Sequence, residues 1–267
     1  MKFLLLFVFV LASLTSLSAQ DVPFKVERMI TDYHGVTTNG KNILCYGDYG
    51  IITYTLDFGK TFKQLSIGDQ YSIKGIAAIG FDFVGFTETA LLKSTDNGMT
   101  WQIKELPDME RIIDMTVVNS TLYLLTPKGV FEADRDLNLS NKPLLVLDST
   151  AEYSEFTTDG KDMYIIHNKR NLIHYAMDTK QLETTDIVKV VYPTDANSTN
   201  LAELKLSGTT VYILINAVYS VSPEYSAQQI IKSDTKGKTW QALTWRILER
   251  GCYQATKNEL YYIAPSR

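Results

Sequence analysis

Cysteine is scarce: the chain of 267 residues has two, Cys45 and Cys252. With no Cys-x-x-Cys pair and no His/Cys cluster at zinc spacing, a thiolate zinc site is excluded. In an oxidising compartment the two cysteines can pair, or they can stay as buried free thiols, and the sequence leaves both open. Histidine is equally thin. His34, His167 and His174 are scattered and read as surface or strand histidines, so no metal and no cofactor is expected. Basic clusters are lacking as well. Lys and Arg number 26 against 30 Asp and Glu, a formal charge of −4, which argues against nucleic acid or an anionic membrane surface as partner. No Gly-rich phosphate loop, nucleophile elbow or Ser/His/Asp arrangement is present.

Long apolar runs are confined to one place. Phe3 to Ala12 is unbroken after Lys2 and is followed by Ser13, Ser16, Ser18 and Ala19. That pattern predicts a signal peptide over 1–19, cleaved between Ala19 and Gln20, and hence a secreted or periplasmic protein. No cysteine stands at the cleavage point, which argues against a lipid anchor. No later segment is long and apolar enough to span a bilayer, so residues 20–267 are expected to form a single exported domain.

What the sequence has in abundance is one recurring turn. Ser94-Thr95-Asp96-Asn97-Gly98-Met99-Thr100-Trp101 joins an apolar strand at Leu91 and Leu92 to another opened by Trp101. Asp96 is placed to accept backbone N–H groups inside the turn, and Gly98 to supply its positive φ. Trp101 brings a large apolar surface to bury. Thr55 to Phe62 repeats the pattern with Asp57, Gly59 and Phe62. Ser233 to Trp240 repeats it with Gly237 and Trp240, but with Thr235 at the carboxylate position. These stretches resemble the Asp-box, or BNR repeat, the hairpin signature of sialidase-like and sortilin-like β-propellers. The resemblance implies that Ser94, Asp96 and their counterparts are structural and lie away from the ligand face.

The strands entering the turns recur around positions 57, 96, 136, 178 and 235, at separations near the length of a four-stranded propeller blade except for the last. Before each lies a strand pair such as Val36-Thr37-Thr38 with Asn42 to Tyr46, or Phe156-Thr157-Thr158 with Asp162 to Ile166. A sixth pair, Tyr253 to Thr256 with Glu259 to Ile263, precedes the end at Arg267. Hairpin signals such as Asn39-Gly40, Asp159-Gly160 and Ser207-Gly208 sit inside the pairs. The reading is an all-β propeller of six blades with mostly four antiparallel strands each. Phe24 to Ile30 alternates at period two and is expected to close the last blade.

In such a propeller, the loops leaving each second strand and those entering the next blade share one face. By fold analogy that face holds the candidate binding residues Tyr33, His34, Tyr49, Tyr71, Arg111, Arg170, Tyr192, Tyr219, Tyr225 and Arg250. The connections Tyr192 to Leu201 and Asn216 to Gln228 are the longest and are read as polar loops, with Tyr among small polar residues. Sialidases require an arginine triad, a Tyr–Glu nucleophile pair and an Asp acid/base, and carry an Arg-Ile-Pro segment. Arg-Ile-Pro is absent here, and Arg111, Arg170, Arg246 and Arg250 have contexts that select no triad. The acidic pairs Asp108/Glu110 and Glu152/Glu155 read as solvated loop charges. No catalytic residue is therefore assigned. The expected function is a non-catalytic module binding a protein, or less favourably a glycan, on its loop face. A divergent glycoside hydrolase or carbohydrate-binding propeller is the alternative.

Overall fold

The computed structural model describes residues 31–106, 111–191, 199–218, 226–243, 252–255 and 260–263. The chain divides into two units, Met1–Ile30 and Thr31–Arg267. The first, with the expected signal peptide and closing strand Phe24 to Ile30, lies outside the described residues.

The second unit is built from antiparallel sheets in chain order. The first blade is β1 (Tyr33–Thr38), β2 (Ile43–Gly47), β3 (Ile51–Thr55) and β4 (Lys63–Ser66). The second is β5 (Gly75–Ile79), β6 (Asp82–Phe86), β7 (Ala90–Ser94) and β8 (Gln102–Glu105). The third is β9 (Asp114–Val118), β10 (Thr121–Thr126), β11 (Gly129–Ala133) and β12 (Leu145–Val146). The fourth is β13 (Tyr153–Thr158), β14 (Asp162–His167), β15 (Asn171–Ala176) and β16 (Gln181–Asp186), followed by the short helix α1 (Ile187–Val191). The fifth is β17 (Thr199–Ser207), β18 (Thr210–Val218), β19 (Ser226–Ser233) and β20 (Gln241–Ala242). A two-stranded sheet, β21 (Cys252–Ala255) and β22 (Leu260–Ile263), comes last among the described residues. The innermost strands β1, β5, β9, β13, β17 and β21 neighbour one another in that order. This is the architecture of a β-propeller.

The period-two alternation of each second strand builds the core, because successive side chains point to opposite faces of the sheet. On β10, Leu122 and Leu124 face the second blade with Val84 and Leu91, while Tyr123 and Leu125 face the fourth with Phe156, Met163 and Ile165. On β14, Tyr164 and Ile166 turn the other way and pack with Val211, Ile213 and Ile215 of the fifth blade. Every second strand from the first blade to the fifth is thus buried on at least one face by a neighbouring blade. A fully buried side chain such as Leu124 contributes about 1.5–3 kcal/mol. The innermost strands differ: β9 is half-buried along its whole length, as expected of a strand whose free side lines the axis.

Three local differences from the sequence reading have physical reasons. The connection read as a loop from Tyr192 to Leu201 ends as strand, since β17 starts at Thr199, and it follows helix α1, to which the sequence reading assigned no element: the Asp186 carboxylate accepts the Lys189 N–H at 2.9 Å, capping the turn, and Ile187 and Val188 are buried. A run of β-branched residues carries no helical signature. The stretch Asn216 to Gln228, read as a loop, is strand at both ends, since β18 and β19 stay paired out to Val218 and Ser226. Asn216 there accepts the Gln228 side-chain N–H at 2.9 Å, so polar residues take the place of apolar ones in the ladder's flank. Residues 192–198 and 219–225 lie outside the described residues, and with them Tyr192, Tyr219 and Tyr225. The third difference is in the third blade. The residue acting as turn aspartate is Asp134, two places before the aligned Asp136: its carboxylate accepts the N–H groups of Asp136 and Asn138, both at 2.8 Å. Asp136 instead pairs with Lys93 of the second blade at 2.7 Å.

Candidate binding face and axial cavity

The recurring turns lie between the third and fourth strands of their blades. Asp96 accepts the Ser94 hydroxyl at 2.9 Å, the Thr100 N–H at 2.9 Å and the Thr100 hydroxyl at 2.6 Å. Asp57 repeats this with Thr55 and Thr61. In the fifth blade the Thr235 hydroxyl stands in for the carboxylate, accepting the Thr239 N–H at 2.8 Å. In all three, the leading Ser or Thr hydroxyl accepts the N–H of the glycine, Gly59, Gly98 or Gly237. Two consecutive residues, not the glycine alone, hold positive φ: Phe58 with Gly59, Asn97 with Gly98, and Lys236 with Gly237. The indole N–H groups of Trp101 and Trp240 donate to the carbonyls of Gly98 and Gly237, each at 3.0 Å. Trp101 is half-buried against the core between the first two blades, and Phe62 is exposed.

Antiparallel topology puts these turns on the face opposite to the loops between second and third strands. Those loops are tied to the connections that enter the next blade. Ile73 N–H donates to Gly47 O, Ile112 N–H to Glu88 O, Leu147 N–H to Lys128 O and Leu201 N–H to Lys169 O. Over the described loops of the first four blades the loop face is therefore a hydrogen-bonded rim rather than a set of independent loops.

Most described candidate residues on this face are occupied. The Tyr33 hydroxyl bonds the Thr53 hydroxyl. His34 lies 2.8 Å from Ile73 O through Nδ1 and 3.3 Å from Asp48 through Nε2. Tyr71 donates to Glu105 at 2.6 Å, and Arg170 pairs with Asp186 at 2.9 Å. Tyr49 is 58% exposed and holds a φ of 56°, so its ring projects from the rim. Arg111 lines a cavity that Arg170 does not, and Arg250 lies outside the described residues, so the described part of the chain brings no arginine triad together. Asp108 and Glu110 also lie outside the described residues. Glu152 pairs with Lys169 on the rim at 2.9 Å, whereas Glu155 lines the cavity, so these two acids do not act as a pair.

The cavity measures about 320 Å³ and is walled by the loop-face ends of the second, third and fourth blades. Lys74, Glu88 and Arg111 are its exposed residues; Asp114, Ser154 and Glu155 line it from the innermost strands β9 and β13. A β-bulge between Tyr153 and Phe156 sets Ser154 and Glu155 together against a single residue of β14. The same irregularity recurs in β1, between Tyr33 and Gly35, and in β17, between Leu201 and Glu203. The Asp114 carboxylate accepts the N–H groups of Met115 at 2.7 Å and Phe156 at 2.9 Å, joining the third blade to the fourth. Burial still pushes its pKa up to about 6. Glu155 is pushed to about 8, by burial first and by the nearby Asp114 charge second, with Lys205 acting the other way. Burial also raises Glu203. The Ser154 hydroxyl is closed to solvent and has no hydrogen-bond partner among the described residues.

Sequence reasoning missed Asp114 and Ser154 and misplaced Glu155. Their signal was a run of polar residues at the starts of innermost strands, where a core-facing pattern would be apolar. Among the described residues no group of His, Cys, Asp and Glu is arranged to hold a metal ion. Cys45 carries a free thiol whose acidity is weakened by burial. No described helix is long and apolar enough to cross a membrane.

Fold and cavity together define a β-propeller with a polar pocket at the loop-face end of its axis. Solved structures similar to it are propellers too. YCF48 bound to D1 peptide is 15% identical with a TM-score of 0.57, over 80% of this chain and 68% of that one. YCF48 from Cyanidioschyzon merolae is 12% identical with a TM-score of 0.55, over 80% and 86%. The N-terminal domain of Nup159 is 12% identical with a TM-score of 0.52, over 79% and 61%. At these identities the likeness is one of fold. No protein-family model matches the sequence, and no curated protein matches it significantly.

Proposed function

We propose that this chain is an exported, non-catalytic β-propeller of six blades that binds a protein partner on its loop face. The observation that carries the reading is the hydrogen-bonded rim surrounding a cavity large enough for a side chain. The structure of YCF48 with a D1 peptide gives the fold a peptide-binding precedent. Membership of the Asp-box superfamily belongs to this proposal, with the repeated carboxylate turns as its support. So does cleavage after Ala19, which mass measurement of the mature chain from the exported fraction tests directly. Site-specific photocrosslinking tests the binding face. A crosslinker at Tyr49 or Glu88 is expected to capture one defined partner, and a crosslinker at Phe58 or Lys41, on the turn face, is expected to capture none. Equal capture from both faces defeats the reading.

The glycosidase alternative is favoured by one observation, two carboxyl groups made weaker acids by burial at one cavity. Against it, both Asp114 oxygens are held by backbone N–H groups and serve the scaffold. Turnover of an aryl glycoside that is lost in Glu155→Gln establishes that alternative.

A further inference from the structure

The loop between β2 and β3 holds an aromatic side chain outward at a cost. Tyr49 has φ 56° and ψ 28°, the left-handed region that a bulky side chain rarely adopts. Its ring is 58% exposed, so burial recovers little of that cost. The conformation is imposed by the neighbours. The Asp48 N–H donates to Asp32 O at 3.3 Å and the Gly50 N–H to Tyr71 O at 2.6 Å, while Gly50 O accepts the Ile67 N–H at 3.0 Å. The hydroxyls of Thr31 and Ser66 donate to the carbonyls of Asp48 and Tyr49, at 3.0 Å and 2.9 Å. The Ser72 hydroxyl donates to the Asp48 carboxylate at 2.5 Å, and His34 Nε2 lies 3.3 Å from it. Both flanks of the turn require glycine: a Cβ at Gly47 would run into Asp32 O, and one at Gly50 would meet Gly68 O at 2.5 Å. The fold does not demand such a turn. The second blade closes its corresponding loop with the Thr87 hydroxyl accepting the N–H groups of Thr89 and Ala90, and with no positive φ from Thr87 to Ala90. Phe58, the other aromatic residue with positive φ among those described, takes the turn position of Asn97 and Lys236, so the repeat sets its backbone. No repeat accounts for Tyr49, and strain held in place by so many partners persists where it serves function.

We propose that Tyr49 is the anchor of the loop-face interface, a fixed aromatic knob that enters an apolar slot on a protein partner whose rim carries Lys or Arg. The proposal rests on the protein-binding reading above and names the residue that dominates it. A ring already held in one backbone conformation loses little freedom when it is captured. Tyrosine also joins a large apolar body to a hydroxyl that can bond at the floor of the slot, and a few such side chains carry most of the energy of an interface. The basic rim follows from charge. Asp32 and Asp69, both exposed, stand in the two segments that bond the turn.

The test uses the full chain with a photocrosslinker at Glu88, which reads partner capture in the exported fraction from a different blade. Wild type, Tyr49→Phe and Tyr49→Asn are compared, and the melting temperature of each is measured. Asparagine enters the left-handed region readily, so Tyr49→Asn is expected to melt at or above the wild-type temperature, by up to about 4 °C. Its yield of the Glu88 adduct is expected to fall at least ~10-fold. Tyr49→Phe keeps the ring and is expected to hold its adduct within about fivefold of wild type. A second crosslinker at Tyr49 itself, with its attachment point mapped by mass spectrometry, is expected to mark an apolar segment bordered by Lys or Arg. Undiminished Glu88 capture in Tyr49→Asn overturns the proposal and leaves the protein-binding reading standing. A Tyr49→Asn melting temperature below wild type makes the ring part of the scaffold and overturns it too, as does attachment of the Tyr49 crosslinker to an acidic segment. Absence of any Glu88 adduct in the wild type defeats the protein-binding reading and the anchor with it. Retention of wild type but not Tyr49→Asn on an immobilised oligosaccharide array assigns the ring to sugar stacking and overturns the protein partner.

Discussion

The Asn97 side-chain carbonyl in the second blade accepts the Asn42 side-chain N–H of the first blade at 2.6 Å. Asn42 immediately precedes β2 and is 2% exposed, so the bond is made in a closed environment. Asn97 reaches it because it sits in the left-handed region, with a φ of 65°, within its aspartate turn. The same station recurs between the fourth and fifth blades, where Lys236, also left-handed, meets Asp162 at 2.7 Å. Between the second and third, Arg135 meets Asp82 at 3.0 Å. The turns therefore join blades as well as close hairpins.

Replacing Asn97 by alanine removes the acceptor and strands the Asn42 amide. Destabilisation of about 1–3 kcal/mol is expected, measured by urea unfolding. Lys236→Met breaks an exposed partner and is expected to cost under about 1 kcal/mol, even though the geometry of the contact is similar.

Asp96→Ala removes an acceptor from three donors and is expected to cost about 1–3 kcal/mol, with no selective loss of partner binding. The acid response has a definite sign. Hydrogen bonds from the Thr61 side chain and backbone lower the Asp57 carboxyl to about 2. Asp96 lies below its ordinary range as well, its bonds from Thr100 and Ser94 outweighing partial burial. The Asp57 contribution is present above about pH 4 and falls away as pH drops from there towards about 2, and that of Asp96 is lost in the same direction, which thermal melts in acid report.

Gly98→Ala and Gly208→Ala separate strain from crowding. Both glycines hold positive φ, 88° and 59°. A Cβ at Gly98 meets the Leu44 Cδ2 at 2.8 Å, whereas at Gly208 it meets nothing within 4 Å. Gly208→Ala is expected to cost about 1 kcal/mol and Gly98→Ala about 2–4 kcal/mol, since the latter must also displace a buried leucine.

Glu155 gives a pH dependence of opposite sign to the turn aspartates. The unfolded chain releases this proton near pH 4.3 and the folded chain near 8, so stability falls as pH rises between those values. Glu155→Gln is expected to flatten that decline and to stabilise the protein by about 1–3 kcal/mol at alkaline pH, read as melting temperature against pH.

Trp101→Ala is expected to cost about 2–3 kcal/mol, less than a fully buried tryptophan, because the ring is half-buried and its N–H caps Gly98 O within the same turn. Differential scanning calorimetry of the variant checks the figure.

Period-two apolar alternation in Leu122 to Leu125 or Met163 to Ile166, punctuated by Gly-containing turns, was enough to define the strands, their order and the propeller class, because strand faces and hairpins are local properties of the chain. The hydrogen-bonding scheme of the aspartate turns was legible for the same reason, since donor and acceptor lie within four residues of each other. The cavity was not legible. Asp114, Ser154 and Glu155 come from strands of two different blades, and only the register of a bulge and the packing of neighbouring sheets bring them to one cavity. Their altered acidity was likewise decided by the fold, because it follows from removing water around residues far apart in sequence.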